Sequence, residues 1–213
     1  MKVMETLFAT QDLNFNGMID YEDIQIPMRK VTFLTGESGS GKSTLLKMCN
    51  GIITPRSGRI FYRGQDVAHM DTIALRKNVS LVSQEVYLFD GDIRANFETF
   101  YHYRRLFCPT EDKIKEILEV CGLYFPLDKD TATMSGGERQ RLYLAVFLSF
   151  LPETVLLDEP TSALDTATGR MVMSNIIAYC RERKISAVIV SHSKELVQEF
   201  SENTVELKRW VKG

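Results

Sequence analysis

Eight residues near the start of the chain, Gly36-Glu37-Ser38-Gly39-Ser40-Gly41-Lys42-Ser43, match the pattern G-x-x-x-x-G-K-[ST]. Cradling a polyphosphate needs a run of backbone N–H groups wrapped around the anion. Glycines permit both the turns and the close approach. The helix expected from about Lys42 to Asn50, with Gly51 as its stop, would point its positive end at the anion. Lys42 would set a point charge on the β- and γ-phosphates, and the Ser43 hydroxyl, followed by Thr44, would ligate Mg²⁺. Much later, Val155-Leu156-Leu157-Asp158-Glu159-Pro160 puts two carboxylates at the end of an apolar run. If that run is a strand of a parallel sheet, both carboxylates arrive at the end where ligands bind. Asp158 suits Mg²⁺ and Glu159 suits general-base work on a water. These two motifs imply nucleotide binding but do not separate a kinase, a GTPase and a transport ATPase.

The elements needed to hold these groups are legible. Val31–Thr35, Val79–Ser83, Thr154–Leu157 and Ile185–Ser191 are β-branched and apolar, as strands buried on both faces must be. Between them, Ile114, Ile117, Leu118 and Cys121, and Met173, Ile176, Ile177 and Cys180, recur at helical spacing. The alternation predicts an α/β layered domain. The first 30 residues and Arg59–Gln65 read as added antiparallel strands, and residues 85–150 as an inserted helical lobe. The 213 residues then form one domain, with its core in 1–84 and 151–213.

Composition narrows the class. A formal charge of −2 gives no support for a nucleic-acid surface. The four cysteines have no metal-ligand spacing and are expected as reduced thiols filling the core. The longest apolar run, Leu142–Leu151, falls well short of the roughly 20 residues that cross a bilayer, so membrane crossing would belong to another chain. Glu5 interrupts a short apolar stretch, so no signal peptide is expected, and no further domain is expected after Thr204–Trp210.

Met134-Ser135-Gly136-Gly137-Glu138-Arg139-Gln140-Arg141 resembles the LSGGQ-x-x-R signature of the ABC ATPase family, with Met for Leu and Glu for Gln. The resemblance runs nearly the length of the chain. It implies a P-loop NTPase three-layer sandwich with N-terminal antiparallel strands and an inserted helical lobe. It implies that Ser135, Gly136, Gly137 and Glu138 face the ATP of a second subunit, so two chains join head to tail around two MgATP. Gln84 resembles the Q-loop glutamine that contacts Mg²⁺ and the attacking water. Ser162-Ala163-Leu164-Asp165 resembles the D-loop, and His192 the switch histidine that touches the γ-phosphate. Leu13–Gly17 resembles the loop that stacks on adenine; Phe15 is the residue chosen there, with Phe8 and Tyr21 as rivals. His69 and His102 receive no role.

By this resemblance the chain is the ATP-hydrolysing subunit of a transporter. It is expected at the cytoplasmic face of a membrane, paired with a second copy and a separate transmembrane permease. The alternative is a soluble ABC ATPase of DNA repair, chromosome structure or translation. Chromosome-type members carry long coiled coils, and here Gln84 and Ser135 stand only 51 positions apart. The stretch Leu88-Phe89-Asp90-Gly91-Asp92-Ile93-Arg94-Ala95-Asn96 resembles one typical of exporters, found also in a small group of iron-efflux ATPases. Among the aromatics that follow, Phe97, Phe100 and Tyr101 share a helical face and are expected mostly to pack the lobe, with some left to meet the membrane subunit.

Overall fold

The structure, a computed structural model of the chain, describes residues 5–208. Five parallel strands form the central sheet in the order β10-β4-β9-β8-β7: β4 (Val31–Thr35), β7 (Val79–Val82), β8 (Thr154–Asp158), β9 (Ser186–Val190) and β10 (Asn203–Glu206). A second, antiparallel sheet holds β1 (Thr6–Phe15), β2 (Ile19–Asp20), β3 (Gln25–Pro27), β5 (Ser57–Tyr62) and β6 (Gln65–Asp66). The four parallel strands read from the sequence are all present, and the edge strand β10, whose side chains alternate only between half-buried and exposed, is additional.

Alternate side chains of the central strands feed two different cores. Phe33, Val155, Leu157 and Ile189 point into a cluster built with the helices of residues 93–180. Leu34, Leu156, Val188 and Val190 point the other way. They meet Leu45, Leu46 and Met48 of α1 (Lys42–Cys49) and Leu7, Phe8 and Ile60 of the antiparallel sheet. This is the period of 2 in a strand expressed as a three-layer sandwich. Each fully buried side chain of this size contributes about 1.5–3 kcal/mol, so the sheet that carries the site is firmly anchored on both faces.

The short helix α2 (Thr72–Asn78) leads into β7. Between β7 and β8 run α3 (Ile93–Tyr103), α4 (Glu111–Val120) and α5 (Gly136–Ser149), with no strand in that interval among the described residues. Their apolar faces pack into the same cluster as the lower face of the central sheet. The motif at 88–96 has a physical basis. Asn96 is fully buried; its amide accepts from the Phe89 N–H at 2.9 Å and donates to the Phe89 and Asp92 carbonyls at 3.0 Å, clamping the loop ahead of α3. Helices α6 (Thr166–Glu182) and α7 (Lys194–Phe200) complete the fold.

The aromatics divide. Phe97 and Tyr101 are core residues, Tyr101 donating its hydroxyl to Ser149 O at 2.8 Å, whereas Tyr103 is 71% and Phe107 fully exposed. One expectation is corrected: Cys49, Cys121 and Cys180 fill the core, but Cys108 is exposed, because it lies in the irregular stretch between α3 and α4. Burial pushes the Cys49 thiol up to about 12, the behaviour of an inert core thiol. Residues 1–4, 209 and 210, on which parts of the terminal readings fall, lie outside the described residues.

Candidate active site

The C-terminal ends of four neighbouring parallel strands deliver the site. Register pairs Leu34 of β4 with Val190 of β9, Val190 with Asp158 of β8, and Leu157 with Val82 of β7. The residues just past these positions are Gly36 onward, His192, Glu159 and Gln84. The sheet therefore sets four distant sequence segments side by side at one edge.

After β4 the chain wraps through Gly36, Gly39 and Gly41 at φ 136, 79 and 90. At Gly36 a Cβ would stand 2.3 Å from Leu207 O, and at Gly41 it would stand 2.4 Å from the Tyr21 hydroxyl, so side chains are excluded there by contact as well as by conformation. Helix α1 then starts at Lys42 with no side chain capping it, as α4 does, whereas the N-caps of α2, α3, α5, α6 and α7 all accept from their own first turn. The first amides of α1 are thus left open in the geometry of an anion site. Glu37, Ser38 and Gly39 are exposed at the loop's tip, while Ser40 Oγ is buried with no hydrogen-bond partner. Lys42 is buried, its ammonium donating to Gly36 O and Glu37 O at 2.9 Å. Burial pulls its pKa below the usual lysine range, against the opposing attraction of Glu159 and Asp158. Thr44, half-buried, follows on α1.

Ser43 Oγ donates to Asp158 Oδ1 at 2.9 Å. Burial holds the Asp158 carboxyl above the usual range, only partly offset by that hydrogen bond. A hydroxyl and a costly buried carboxylate facing each other beside an anion cradle are hard oxygen donors that fit Mg²⁺. Among the described residues there is no group of three or more His, Cys, Asp or Glu side chains able to hold a metal, so phosphate oxygens or water would have to complete the shell.

Glu159 follows β8 with φ 51, an unusual region for a residue with a side chain. Its N–H donates to Val190 O at 3.1 Å, and Oε1 lies 3.0 Å from Nε2 of His192. Gln84 is exposed in the bend past β7. Phe15, the half-buried end of β1, pairs with Ile19 across a turn made by Asn16 and Gly17 at φ 52 and 70. Ile19 in turn abuts Gly41. Both rivals are core residues: Phe8 packs on Tyr62, and Tyr21 is buried with its hydroxyl on Gly41 O at 3.0 Å. Of the three, Phe15 alone keeps surface free beside the phosphate loop.

The signature is in a different place. Ser135 is the exposed N-cap of α5, its Oγ accepting from Glu138 N at 3.3 Å, while the Glu138 carboxylate accepts from Ser135 N at 2.8 Å. That backbone hydrogen bond keeps the Glu138 carboxyl below its usual range. Gly136 is open to solvent. Gly137 packs on the D-loop, where an added Cβ would stand 3.0 Å from Ala163 O. Among the described residues no hydrogen bond joins Ser135, Gly136 or Gly137 to the phosphate loop. Ser162 and Ala163 are exposed, Leu164 packs against the helical core, and Asp165 caps α6 by accepting from Thr168 N at 3.0 Å. A residue that sequence reading left without a role sits between these segments. Gln140 of α5, 4% exposed, donates to Glu159 O at 3.1 Å. Its place inside the signature was the available signal, but a helical glutamine is ordinarily solvated.

A parallel sheet with an open phosphate cradle at one strand end, two carboxylates two strands away and a histidine past the strand between them defines a nucleoside-triphosphate hydrolase of the P-loop type. Residues 20–162 match the ABC transporter family, and the chain belongs to it. The chain is an ATP-binding and ATP-hydrolysing member. It is 32% identical to a phosphonates import ATP-binding protein of Synechococcus over 94% of this chain and 78% of that one. It is 37% identical to a probable iron export ATP-binding protein of Escherichia coli over 76% and 72%. Among solved structures, cbiO1 of Clostridium perfringens, part of a cbiONQ transporter complex, superposes with a TM-score of 0.83 at 25% identity, over 98% of this chain and 88% of that one. Among the described residues no helix is long and apolar enough to cross a membrane.

Proposed function

We propose that the chain powers a transporter by closing head to tail on a second copy, with two MgATP held between them. The observation that carries this reading is the separation within one chain of two anion-binding turns. The phosphate loop shares its strand-end edge with Asp158, Glu159 and His192, whereas the Ser135 turn is solvent-facing and makes no hydrogen bond to that loop. A second chain brought up in the opposite sense would place its Ser135 hydroxyl on the γ-phosphate.

In this reading Phe15 offers a ring to adenine. The open amides of 36–44 wrap the phosphates, and Lys42 exchanges its two carbonyl partners for phosphate oxygens. Ser43 and Asp158, with Gln84, would hold Mg²⁺, which when bound neutralises phosphate charge. Glu159 Oε1 accepts the proton of the attacking water, and His192 Nε2, now bonded to Glu159, turns to the γ-phosphate. Lys42 and the partner's signature turn stabilise the developing charge. The D-loop 162–165, packed on Gly137, couples one site to the other.

We read 85–150 as a helical sub-lobe within a single domain. Tyr87, Phe89 and Tyr103, with Phe89 stacked on Tyr103 and met edge-on by Tyr87, and with Tyr87 and Tyr103 mostly exposed, form the face offered to a separate transmembrane permease at the cytoplasmic side of the membrane. The Asn96 clamp that holds Phe89 supports the exporter-like reading of 88–96. Relatives include both import and export proteins, and export is the direction we propose.

Specific ATPase activity is measured over a broad dilution series, with Glu159→Gln sized with and without MgATP. Activity per chain should fall on dilution, and the variant should collect as a dimer only with nucleotide. A rate per chain that is independent of concentration overturns the composite site.

A further inference from the structure

Gln140 belongs to the signature stretch yet faces inward from α5, away from the exposed Ser135–Gly136 turn. A buried amide must have its donors and acceptor matched. Here Nε2 donates to Glu159 O at 3.1 Å and Ser162 Oγ at 3.3 Å, and Oε1 accepts from Ala163 N at 3.3 Å. One orientation of the amide satisfies all three, since the other would set carbonyl against carbonyl and N–H against N–H. All three bonds end on two segments, the residue after β8 and the D-loop.

Glu159 needs that support. At φ 51 its backbone sits where a Cβ is crowded, a cost that its surroundings must offset. Its N–H is held by Val190 O, and its carbonyl accepts from Ser162 N at 3.2 Å as well as from Gln140. Of the anchors on this peptide, the Gln140 amide is the one that comes from the signature helix.

We infer that Gln140 is a positioning residue for hydrolysis. It ties the helix whose start would serve a partner's nucleotide to the backbone of the same chain's Glu159, so that seating one signature sets the aim of the other site's general base. Gly137 against Ala163 O, one turn earlier on α5, forms the rigid contact beside this tie. The inference rests on the reading of Glu159 as base and of the signature as acting in trans.

The test is Gln140→Met, which keeps length and helix propensity and removes every hydrogen bond, with Gln140→Glu as second variant. For the Met variant, turnover should fall about 10- to 100-fold, the scale of a slight misplacement of a reacting group, while ATP affinity by fluorescent-nucleotide titration and the melting temperature stay near wild type. The Glu variant can donate to Glu159 O only when protonated, so its turnover relative to wild type should recover as pH falls. That recovery also decides the matter if the Met variant fails to fold. Wild-type turnover in the Met variant, a loss that merely follows ATP affinity or folded fraction, or a Glu variant without pH-dependent recovery overturns the inference. Glu159→Gln, run in parallel, separates the two levels. If it turns over normally, the assignment of the base fails. If it is dead while Gln140→Met is fully active, only the role of Gln140 fails.

Discussion

Nε2 of His192 lies 3.0 Å from Oε1 of Glu159, although the two residues come from different strands and 33 positions separate them. The contact is a consequence of register. Asp158 pairs with Val190 across β8 and β9, so the residues one and two places beyond meet at the sheet edge. We predict that His192→Ala lowers kcat by about 100-fold or more with little change in ATP affinity, since its partner group acts on the reacting water. If both residues serve one step, the double variant with Glu159→Gln will be no slower than the slower single variant. Single-turnover assays with a binding titration check both statements.

Asp158 links stability to pH with a definite sign. Burial raises its folded-state pKa above the unfolded value, so its contribution is most favourable at low pH and is lost as pH rises through the folded pKa. At neutral pH the ionised carboxylate is therefore a cost that a bound cation would relieve. Asp158→Asn, which still accepts from Ser43, should melt higher than wild type without nucleotide at neutral pH, and the gap should close in acid. The same variant should lose the stabilisation that MgATP confers on the wild type. Melting curves across pH, with and without MgATP, decide it.

Gly137 is constrained by contact, not by backbone angle. A Cβ there would meet Leu164 Cδ2 at 2.9 Å and Ala163 O at 3.0 Å. Gly137→Ala should displace the D-loop and reduce turnover by about 10-fold or more while ATP binding persists, because among the described residues no hydrogen bond joins this pair to the phosphate loop. Gly136→Ala, with nothing within 4 Å, should fold and melt as wild type. Matched turnover, affinity and melting measurements test the contrast.

The aromatic lobe should separate packing from docking. Tyr101→Phe removes a hydroxyl bonded to Ser149 O and should cost about 1 kcal/mol of stability. Tyr103→Ala removes a mostly exposed ring stacked on Phe89 and should cost less stability, yet weaken capture of the membrane subunit. Denaturant melts and co-purification with the permease give the two readouts.

Much of this molecule is local, and local features are readable from the order of residues. The phosphate loop is one continuous segment whose glycines, lysine and serine stand together in the sequence. The strands at 31–35, 79–82, 154–158 and 186–190 carry the apolar runs that double burial demands, and helices such as 111–120 carry their own period. The edge strand β10 escaped because a half-exposed strand has no such run. Tertiary structure decided what depends on register and on which side of a helix faces inward. It brought Glu159 to His192, buried Phe8 and Tyr21 while leaving Phe15 half-buried, turned Tyr101 in and Tyr103 out, and left Cys108 at the surface. It also placed Gln140 on Glu159, a pairing invisible in one dimension because a hydrogen bond across 19 positions depends on how α5 lies against the end of β8.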